Sequence, residues 1–204
     1  MKILALETST NACSAALLIG NYQQHSCIER FEIAPRQHTA LILPMVESLL
    51  KEADYPIQEI DALAFGRGPG AFTGVRVATV IVQAIAYGAD IGVAQISSLA
   101  GLAQGIYYQY KSTDILVASD ARMDEIYFGA YQNLDGYMTL RANEQVLKPA
   151  ELGDYLQNNV RLDKNLSGWT MVGNGWSEYA EPLTAVSSAT SGVLYQDVYP
   201  HAKD

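Results

Sequence analysis

Short apolar runs separated by polar loops dominate the first part of the chain. An apolar run at residues 3–6 is followed by acidic and hydroxyl side chains, which predicts a strand that ends in a loop. Residues 12–19 and 22–33 also have strand character, and Gly20-Asn21 between them predicts a two-residue hairpin turn. The chain is therefore expected to open with three consecutive strands.

Helical spacing replaces the strand pattern in the next segment. From Thr39 onward apolar residues recur every three or four positions, which predicts an amphipathic helix with Pro44 inside it. Residues 60–65 predict a strand, and the helix after it, about residues 73–88, carries Val, Ile and Ala on nearly every side. A helix that is apolar all round needs cover all round, so either the fold or a partner buries this one.

The order of the remaining elements selects a fold class. They are predicted strands at residues 92–96, 115–119, 126–131 and 137–146 and predicted helices that begin at Ser97 and Pro149. Three leading strands followed by alternating helices and strands do not fit a doubly wound sheet, and they favour an α/β fold with a mixed five-stranded sheet. We expect two α/β domains, residues 1–108 and 109–204.

Composition and charge narrow the class of protein further. Of the 204 residues, 49% are hydrophobic and 17% charged, which excludes a disordered chain. The 22 acidic residues outnumber the 13 basic ones and give a net charge of −9, so the chain alone is a poor ligand for nucleic acids and anionic membranes. The apolar stretch 75–89 is too short to span a bilayer. We expect a cytoplasmic protein.

The two cysteines, Cys13 and Cys27, do not form a disulfide framework. Reduced thiols that serve in packing are the expected state. Because they flank the predicted hairpin turn, closeness across two strands is the alternative.

Three polar loops leave predicted strand ends and are candidates for one cleft. They begin at Glu7, Gly66 and Asp120. The glycine-rich loop at Gly66 runs directly into a helix, an arrangement in which backbone N–H groups and the helix dipole hold phosphate. A tight turn without a ligand is the other interpretation, and both stay open. The loop is not a P-loop, because no lysine lies between Lys51 and Lys111.

Candidate catalytic groups are few. The histidines are not spaced for a metal site with another His or Cys: His25, His38 and His201. No Gly-x-Ser-x-Gly pattern for a nucleophile occurs. The acids Asp120, Asp124 and Glu125 have the chemistry to bind Mg²⁺, although solvated acids at a loop are the more common explanation.

Several segments together carry a family resemblance. They are residues 3–10, 66–76 and 120–127, with supporting similarity at residues 36–39, 43–45 and 173–176. They resemble the bacterial TsaB (YeaZ) family of tRNA threonylcarbamoyladenosine biosynthesis proteins, and the resemblance runs through the chain in order. It implies the actin-like ATPase (ribonuclease H-like) fold, with two related domains that each have a mixed sheet flanked by helices. Because the family usually continues past the position of Asp204, the C-terminal domain is expected to be shortened.

The resemblance implies a role without catalysis. The family's close relative is the catalytic subunit, which transfers the threonylcarbamoyl group to an adenosine in the anticodon loop of tRNA and binds a metal through histidines. The matching region, residues 97–102, contains no histidine. We therefore expect no metal and no intrinsic transfer activity. The resemblance instead implies a required scaffold that heterodimerises with the catalytic threonylcarbamoyltransferase subunit, joined by a small ATPase subunit.

The same resemblance assigns sites and partners. A reduced nucleotide cleft is expected to be lined by Thr8, Ser9, Gly68, Pro69, Gly70 and Asp120. The partner interface is expected to contain Leu41, Met45, Leu49, Arg76, Val80, Ala84 and Tyr87. No tightly bound cofactor is expected, ATP being used by the complex, and tRNA is expected to be contacted only through the complex. In isolation a homodimer is expected. Glu7 stands where the family commonly has Asp.

Two other functions stay open. A self-sufficient ATPase or small-molecule kinase of the same fold would require a catalytic carboxylate and tight Mg-ATP binding by the chain alone. A peptidase would require a nucleophile with its base, or a metal site, and the sequence offers no convincing example of either.

Overall fold

Two compact units make up the chain in the computed structural model, which describes residues 1–21, 24–160 and 166–204. The first unit contains Met1–Gly101 together with Pro200–Asp204, and the second contains Leu102–Tyr199. The chain passes from the first to the second unit inside one helix, α3 (Ser98–Tyr110).

The observed division differs from the predicted boundary at residue 108 because of contacts made early in α3. The Gln104 side chain donates a hydrogen bond to the Gly136 carbonyl (3.0 Å) and accepts one from the Met138 N–H (2.8 Å). These bonds tie the helix to the second unit from residue 102 onward. The last five residues belong to the first unit, where Ala202 donates its N–H to the Ser14 hydroxyl at 2.9 Å.

The first unit is a mixed sheet with helices, as the strand pattern predicts. Its described elements are β1 (Lys2–Glu7), β2 (Ala12–Gly20), β3 (His25–Ile33), α1 (His38–Ala53), a 3₁₀ turn (Ile57–Glu59), β4 (Ala62–Gly66), α2 (Phe72–Ala89) and β5 (Gly92–Ile96). The sheet order is β3-β2-β1-β4-β5. Strands β1, β2 and β3 are antiparallel, whereas β4 and β5 run parallel to β1 because helical crossovers connect them.

Successive side chains along each strand point to opposite faces of this sheet. Leu4 and Leu6 of β1 point into the core that α1 and α2 cover. Ile3, Ala5 and Glu7 lie at the alternate positions and line a cavity of about 200 Å³ on the opposite face. Side chains of the segment 200–204 line the same cavity.

The segment 200–204 is fixed on that second face by charge and stacking. The two Glu29 carboxylate oxygens contact His201 Nδ1 at 3.0 Å and Lys203 Nζ at 2.9 Å. The His201 ring stacks on Phe31 with ring centroids 4.0 Å apart. Although desolvation raises the pKa of Glu29, the hydrogen bonds from His201 and Lys203 outweigh it and hold the pKa below its ordinary value.

The predicted two-residue turn between β2 and β3 is wrong. Gly20 pairs with His25, so the connection has four residues, and Tyr22 and Gln23 within it lie outside the described residues. The Asn21 N–H donates to the Gln24 carbonyl at 2.9 Å.

The register also separates the two cysteines. Cys13 pairs with Glu32 and Cys27 with Leu18, so the thiols are not neighbours across the hairpin. Both are free, Cys13 in the core and Cys27 at the surface. The expectation of unpaired thiols is confirmed, but a packing role holds only for Cys13, and the alternative of closeness is wrong.

Both long helices of the first unit end at a left-handed residue. Asp54 follows α1 with φ 56° and donates its N–H to the Leu50 and Lys51 carbonyls. Asp90 follows α2 with φ 56° and donates to the Ala86 carbonyl. Asp tolerates this conformation better than most residues, so both helices stop here without glycine.

The second unit repeats the sheet-and-helix plan. Its described elements after α3 are β6 (Asp114–Arg122), β7 (Glu125–Leu134), β8 (Tyr137–Leu140), β9 (Gln145–Leu147), a 3₁₀ turn (Pro149–Glu151), α4 (Leu152–Asn159), β10 (Thr170–Val172), α5 (Gly175–Glu178), α6 (Ala180–Thr190) and β11 (Leu194–Tyr195). The sheet order is β11-β10-β6-β7-β8, with β9 also paired to β7. The single strand predicted at residues 137–146 is thus two strands that pair with different parts of β7.

The predicted fold class is confirmed: each unit has a mixed sheet flanked by helices, with three antiparallel strands at the start of the first. Among the described residues, α2 is the one helix long and apolar enough to cross a membrane by length and composition. This corrects the expectation that the apolar stretch 75–89 is too short, because the helix begins three residues earlier, at Phe72. One such helix is weak evidence for a membrane span, because a core helix of a soluble protein or a signal sequence passes the same test.

Candidate functional site

The loop that follows β1 is buried. Its residues Glu7, Thr8 and Ser9 are almost fully shielded from solvent. The Glu7 carboxylate accepts the Ser9 N–H at 2.6 Å and the Ser98 hydroxyl at 2.8 Å. Burial raises the pKa of Glu7 even though these hydrogen bonds favour its charged form. The carboxylate therefore binds its own loop and the start of α3.

The glycine-rich segment after β4 wraps closely round this buried loop. The Ala71 N–H donates to the Ser9 carbonyl at 2.7 Å, and the Thr8 hydroxyl donates to the Gly74 carbonyl at 2.7 Å. A Cβ at Gly70 would lie 2.3 Å from the Ser9 carbonyl oxygen, and a Cβ at Gly74 would lie 2.0 Å from that of Thr8. Only glycine permits backbones to approach so closely.

The middle of the glycine-rich segment contacts the start of α3. Gly68 has φ 89°, and its carbonyl accepts the Ser98 N–H at 2.9 Å. The Gly68–Pro69 peptide bond is cis. The structure thus brings five predicted cleft residues together in the first unit: Thr8, Ser9, Gly68, Pro69 and Gly70. The Ser9 and Gly68 carbonyls accept the N–H groups of Ala71 and Ser98, so neighbouring backbone satisfies both acceptors. The tight-turn and phosphate-binding interpretations of the glycine-rich loop both stay open.

The sixth predicted cleft residue, Asp120, belongs to the second unit and is held by its own neighbours. Its Oδ1 accepts the Tyr179 hydroxyl at 2.9 Å and the Arg122 N–H at 2.8 Å, and its Oδ2 contacts the Arg122 guanidinium at 2.9 Å. Desolvation and the bond to Asp120 raise the pKa of Tyr179 to about 12. Sequence reasoning missed Tyr179, because 59 residues separate it from its partner.

The turn between β6 and β7 has an unusual backbone. Arg122, Met123 and Asp124 are three successive non-glycine residues with φ of 66°, 54° and 60°. Met123 and Asp124 are the two residues between the paired Arg122 and Glu125, and a two-residue hairpin turn of type I′ has positive φ at both of these positions. Arg122 adds a third left-handed residue at the register shift that follows Asp120. The turn therefore lies next to Asp120, and the Met123 side chain is exposed.

The described residues contain no group of side chains suited to a metal ion. Within residues 1–21, 24–160 and 166–204, no three His, Cys, Asp or Glu side chains are grouped to hold a metal ion. His38 is buried, with Nε2 3.2 Å from the Ala12 carbonyl oxygen. That contact gives the histidine a structural role at the start of α1.

The outer face of α2 is an exposed apolar stripe. Val80 and Tyr87, both predicted for a partner interface, are 62% and 94% exposed, and Ala84 and Arg76 are also exposed on the same helix. Phe72 extends the stripe to the first turn at 73% exposure, and the Arg76 guanidinium lies 3.2 Å from the centre of its ring. Sequence reasoning missed Phe72 because it precedes the predicted start of the helix.

The contribution predicted from α1 is corrected. Leu49 is 0% exposed and Met45 is also buried, because both lie on the stripe that packs into the core of the first unit. Leu41 is partly buried against the same core. The apolar periodicity of α1 thus marks its inner face, as it does in most amphipathic helices.

An apolar groove lies beside the stripe on α2. It has a volume of about 510 Å³ and is lined by Thr39, Phe72, Thr73, Arg76, Val77, Val80 and Ile81. Six of these residues come from α2 and one from the first turn of α1. The groove is therefore continuous with the exposed stripe and has the apolar character of a protein-binding surface.

Comparisons with known proteins agree with these observations. Residues 29–184 match the family model for TsaD, tRNA N6-adenosine threonylcarbamoyltransferase. The tRNA threonylcarbamoyladenosine biosynthesis protein TsaB of Escherichia coli (strain K12) is 40% identical, over 100% of this chain and 84% of that protein. The protein of the same name from Haemophilus influenzae is 37% identical, over 96% of this chain and 83% of that protein.

A solved structure has the same fold. YeaZ from Pseudomonas aeruginosa is 39% identical and superposes with a TM-score of 0.85, over 99% of this chain and 87% of that chain.

Proposed function

The chain belongs to the TsaB (YeaZ) family of tRNA threonylcarbamoyladenosine biosynthesis proteins, and we propose that it acts in this modification as a non-catalytic subunit that heterodimerises with the catalytic threonylcarbamoyltransferase. The observation that carries the proposal is the exposed apolar stripe of α2. Leaving Phe72, Val80 and Tyr87 in water is unfavourable by about 25 cal/mol for each Å² that a partner would cover. A partner helix that packs along this stripe removes the cost.

The contacts of the acidic residues support a non-catalytic role. Glu7 and Asp120 are the acids at the heads of the first and third polar loops, and both accept hydrogen bonds from neighbouring groups of their own unit. The guanidinium of Arg122 balances the charge of Asp120. Catalysis of phosphoryl transfer needs carboxylates that hold Mg²⁺ and are not already neutralised. We propose that this chain binds no nucleotide tightly and that the assembled complex uses ATP, with a small ATPase subunit.

The net charge of the chain is unfavourable for direct binding to tRNA. With a net charge of −9, it has no excess of cations to replace the counterions of the phosphate backbone. We propose that tRNA is contacted only through the complex, in the cytoplasm and without a membrane. When the catalytic subunit is absent, the same stripe on a second copy provides the cover, so the isolated chain forms a homodimer.

The experiment is a titration of the purified catalytic subunit against this chain, with the equilibrium constant measured by calorimetry. Val80→Asp places a charge in the centre of the stripe, and we expect it to weaken association at least a hundredfold, since an unpaired charge in an apolar interface costs several kcal/mol. The matched control is Val193→Asp, which changes a valine that is 58% exposed in the second unit. We expect the control to stay within about twofold of the parent.

Circular dichroism of each variant establishes that it is folded. Equal affinity of Val80→Asp and the parent would remove α2 from the interface. Hydrolysis of Mg-ATP by the chain alone would instead support a self-sufficient ATPase.

A further inference from the structure

The first turn of α2 begins the proposed partner surface. Phe72 and Arg76 stack on each other one turn apart, and Val80 follows after one more turn. All three side chains project from one side of the helix because they are spaced four residues apart. Any rotation or fraying of the first turn would therefore displace the Phe72–Arg76 pair relative to Val80.

The usual device for fixing a helix start is missing in α2. The residue at the N-cap position is Ala71, and no side chain caps the helix there. Ser, Thr, Asp or Asn at this position normally accepts a free backbone N–H of the first turn. The start of α2 must be held by something else.

The buried loop after β1 holds the helix start in another way, through contacts that do not cap its free N–H groups. Just ahead of the helix, the Ala71 N–H donates to the Ser9 carbonyl, and inside the first turn the Gly74 carbonyl accepts the Thr8 hydroxyl at 2.7 Å. The absence of side chains at Gly70 and Gly74 brings the helix start directly against the loop. Glu7 in turn ties the loop to α3 through the Ser98 hydroxyl.

We propose that Thr8 is a positioning residue for partner association: its hydroxyl fixes the first turn of α2, and thereby the Phe72–Arg76 pair, without touching the partner. This inference rests on the proposed function of the α2 stripe. It gives a structural reason for a buried, hydrogen-bonded polar loop in a subunit that performs no chemistry there. The loop acts on the interface from the opposite side of the helix.

The test measures affinity for the catalytic subunit with three hydroxyl variants of the full chain. Thr8→Val keeps the shape of the side chain and removes its hydroxyl donor. We expect about tenfold weaker association, because the free energy of one buried hydrogen bond is lost from the helix turn that carries the interface. Thr8→Ser keeps the hydroxyl and should restore the affinity of the parent. Ser14→Ala removes a different buried hydroxyl of the same unit, the acceptor of the Ala202 N–H.

A positioning role and a merely stabilising role predict different patterns. If Thr8 positions the helix, Ser14→Ala lowers the melting temperature but leaves affinity within about twofold, and backbone amide exchange at residues 72–76 accelerates only in Thr8→Val. Equal weakening by Thr8→Val and Ser14→Ala, or unchanged affinity of Thr8→Val, would overturn the proposal. Should Thr8→Val fail to fold, Glu7→Ala removes the acceptor of the Ser9 N–H and tests the same loop with the same expected loss.

The Val80→Asp variant separates the two proposals. If it abolishes association while Thr8→Val has no effect, the stripe is the interface and the positioning role is wrong. If Val80→Asp also associates normally, the proposed interface itself is wrong.

Discussion

The Glu7 carboxylate fills the space that a side chain at residue 66 would need. A Cβ at Gly66 would lie 1.9 Å from Glu7 Oε2, far inside contact distance. Glu7 ends β1 and Gly66 ends β4, which is the parallel neighbour of β1. The acid and the glycine are therefore complementary in shape, and the glycine opens the loop that leads to α2.

This complementarity predicts a specific coupling. Gly66→Ala should lower the free energy of unfolding by about 1–3 kcal/mol or more, because the buried Glu7 side chain must leave a well-packed position. Adding Glu7→Ala should relieve part of the loss, with a coupling energy of about 1 kcal/mol or more between the two sites. Urea denaturation of the parent, both single variants and the double variant measures it.

The control for this cycle is Gly101→Ala. No atom lies within 4 Å of a Cβ at Gly101, which is inside α3. Replacing it should be neutral or stabilising by about 0.5–1 kcal/mol. Strictly additive losses for Glu7→Ala and Gly66→Ala would contradict the steric account.

The inner stripe of α1 predicts a large loss of stability at Leu49. Truncation by Leu49→Ala leaves a cavity in the core and should cost about 2–5 kcal/mol. Leu43→Ala on the exposed side of the same helix should change stability by about 0.5 kcal/mol or less. Chemical denaturation measures the free energy of unfolding of both variants. Similar losses for the two leucines would mean that the described orientation of α1 is wrong.

The two thiols should differ in reactivity. Burial first, and then the charges of Glu32 and Glu7, raise the pKa of Cys13 to about 11, and the side chain is enclosed in the core. Cys27 is exposed, although desolvation raises its pKa too. At about pH 8, iodoacetamide should add once to the native chain, at Cys27, because thiolate and access are both required. Intact-mass spectrometry of the parent and of Cys27→Ala counts the adducts on each chain. Two additions to the native parent would contradict the predicted difference in reactivity.

The contacts of Glu29 with His201 and Lys203 predict that the stability of the protein depends on pH. Because the folded pKa of Glu29 is lowered, its contribution is fully present above the ordinary glutamate value of 4.5 and is lost as the pH falls through the lowered value. Glu29→Gln should therefore lower the free energy of unfolding at about pH 7 by roughly 1–3 kcal/mol. The difference between parent and variant should shrink toward zero as the pH falls below 4.5 and through the lowered pKa of Glu29.

Thermal unfolding across this pH range measures the Glu29 contribution. Glu47→Gln, on the exposed side of α1, is the control and should follow the parent at every pH. A difference between the parent and Glu29→Gln that stays constant as the pH falls through the acid range would exclude the ion pairs as its source.

Predictions from the sequence were most successful where one periodicity applied to a whole element. The leading strands, α1 and α2 follow directly from alternating or helical spacing. The same spacing led to a wrong interface prediction for Leu49. An apolar stripe indicates that a helix face is buried, but it does not indicate whether the chain's own core or a partner covers that face. Only the exposure of Val80 and Tyr87 distinguishes the two.

Other features depend on contacts that are distant in sequence. The bond between Tyr179 and Asp120 spans 59 residues, and the placement of residues 200–204 on the first unit depends on Glu29, which is 172 residues from His201. Short strands such as β10 and β11 have two or three residues each, too few for a period. These elements are fixed by tertiary pairing, which local patterns do not encode.

The most direct test of the central proposal is nucleoside mass spectrometry of tRNA from a reconstituted reaction. It contains the catalytic subunit, the small ATPase, threonylcarbamoyl-adenylate and ATP, with the parent chain, with Val80→Asp, with Val193→Asp or with none. We predict threonylcarbamoyladenosine only with the parent and Val193→Asp. Equal modification in the reaction that lacks the chain, or with Val80→Asp, would contradict a required subunit that acts through the α2 stripe.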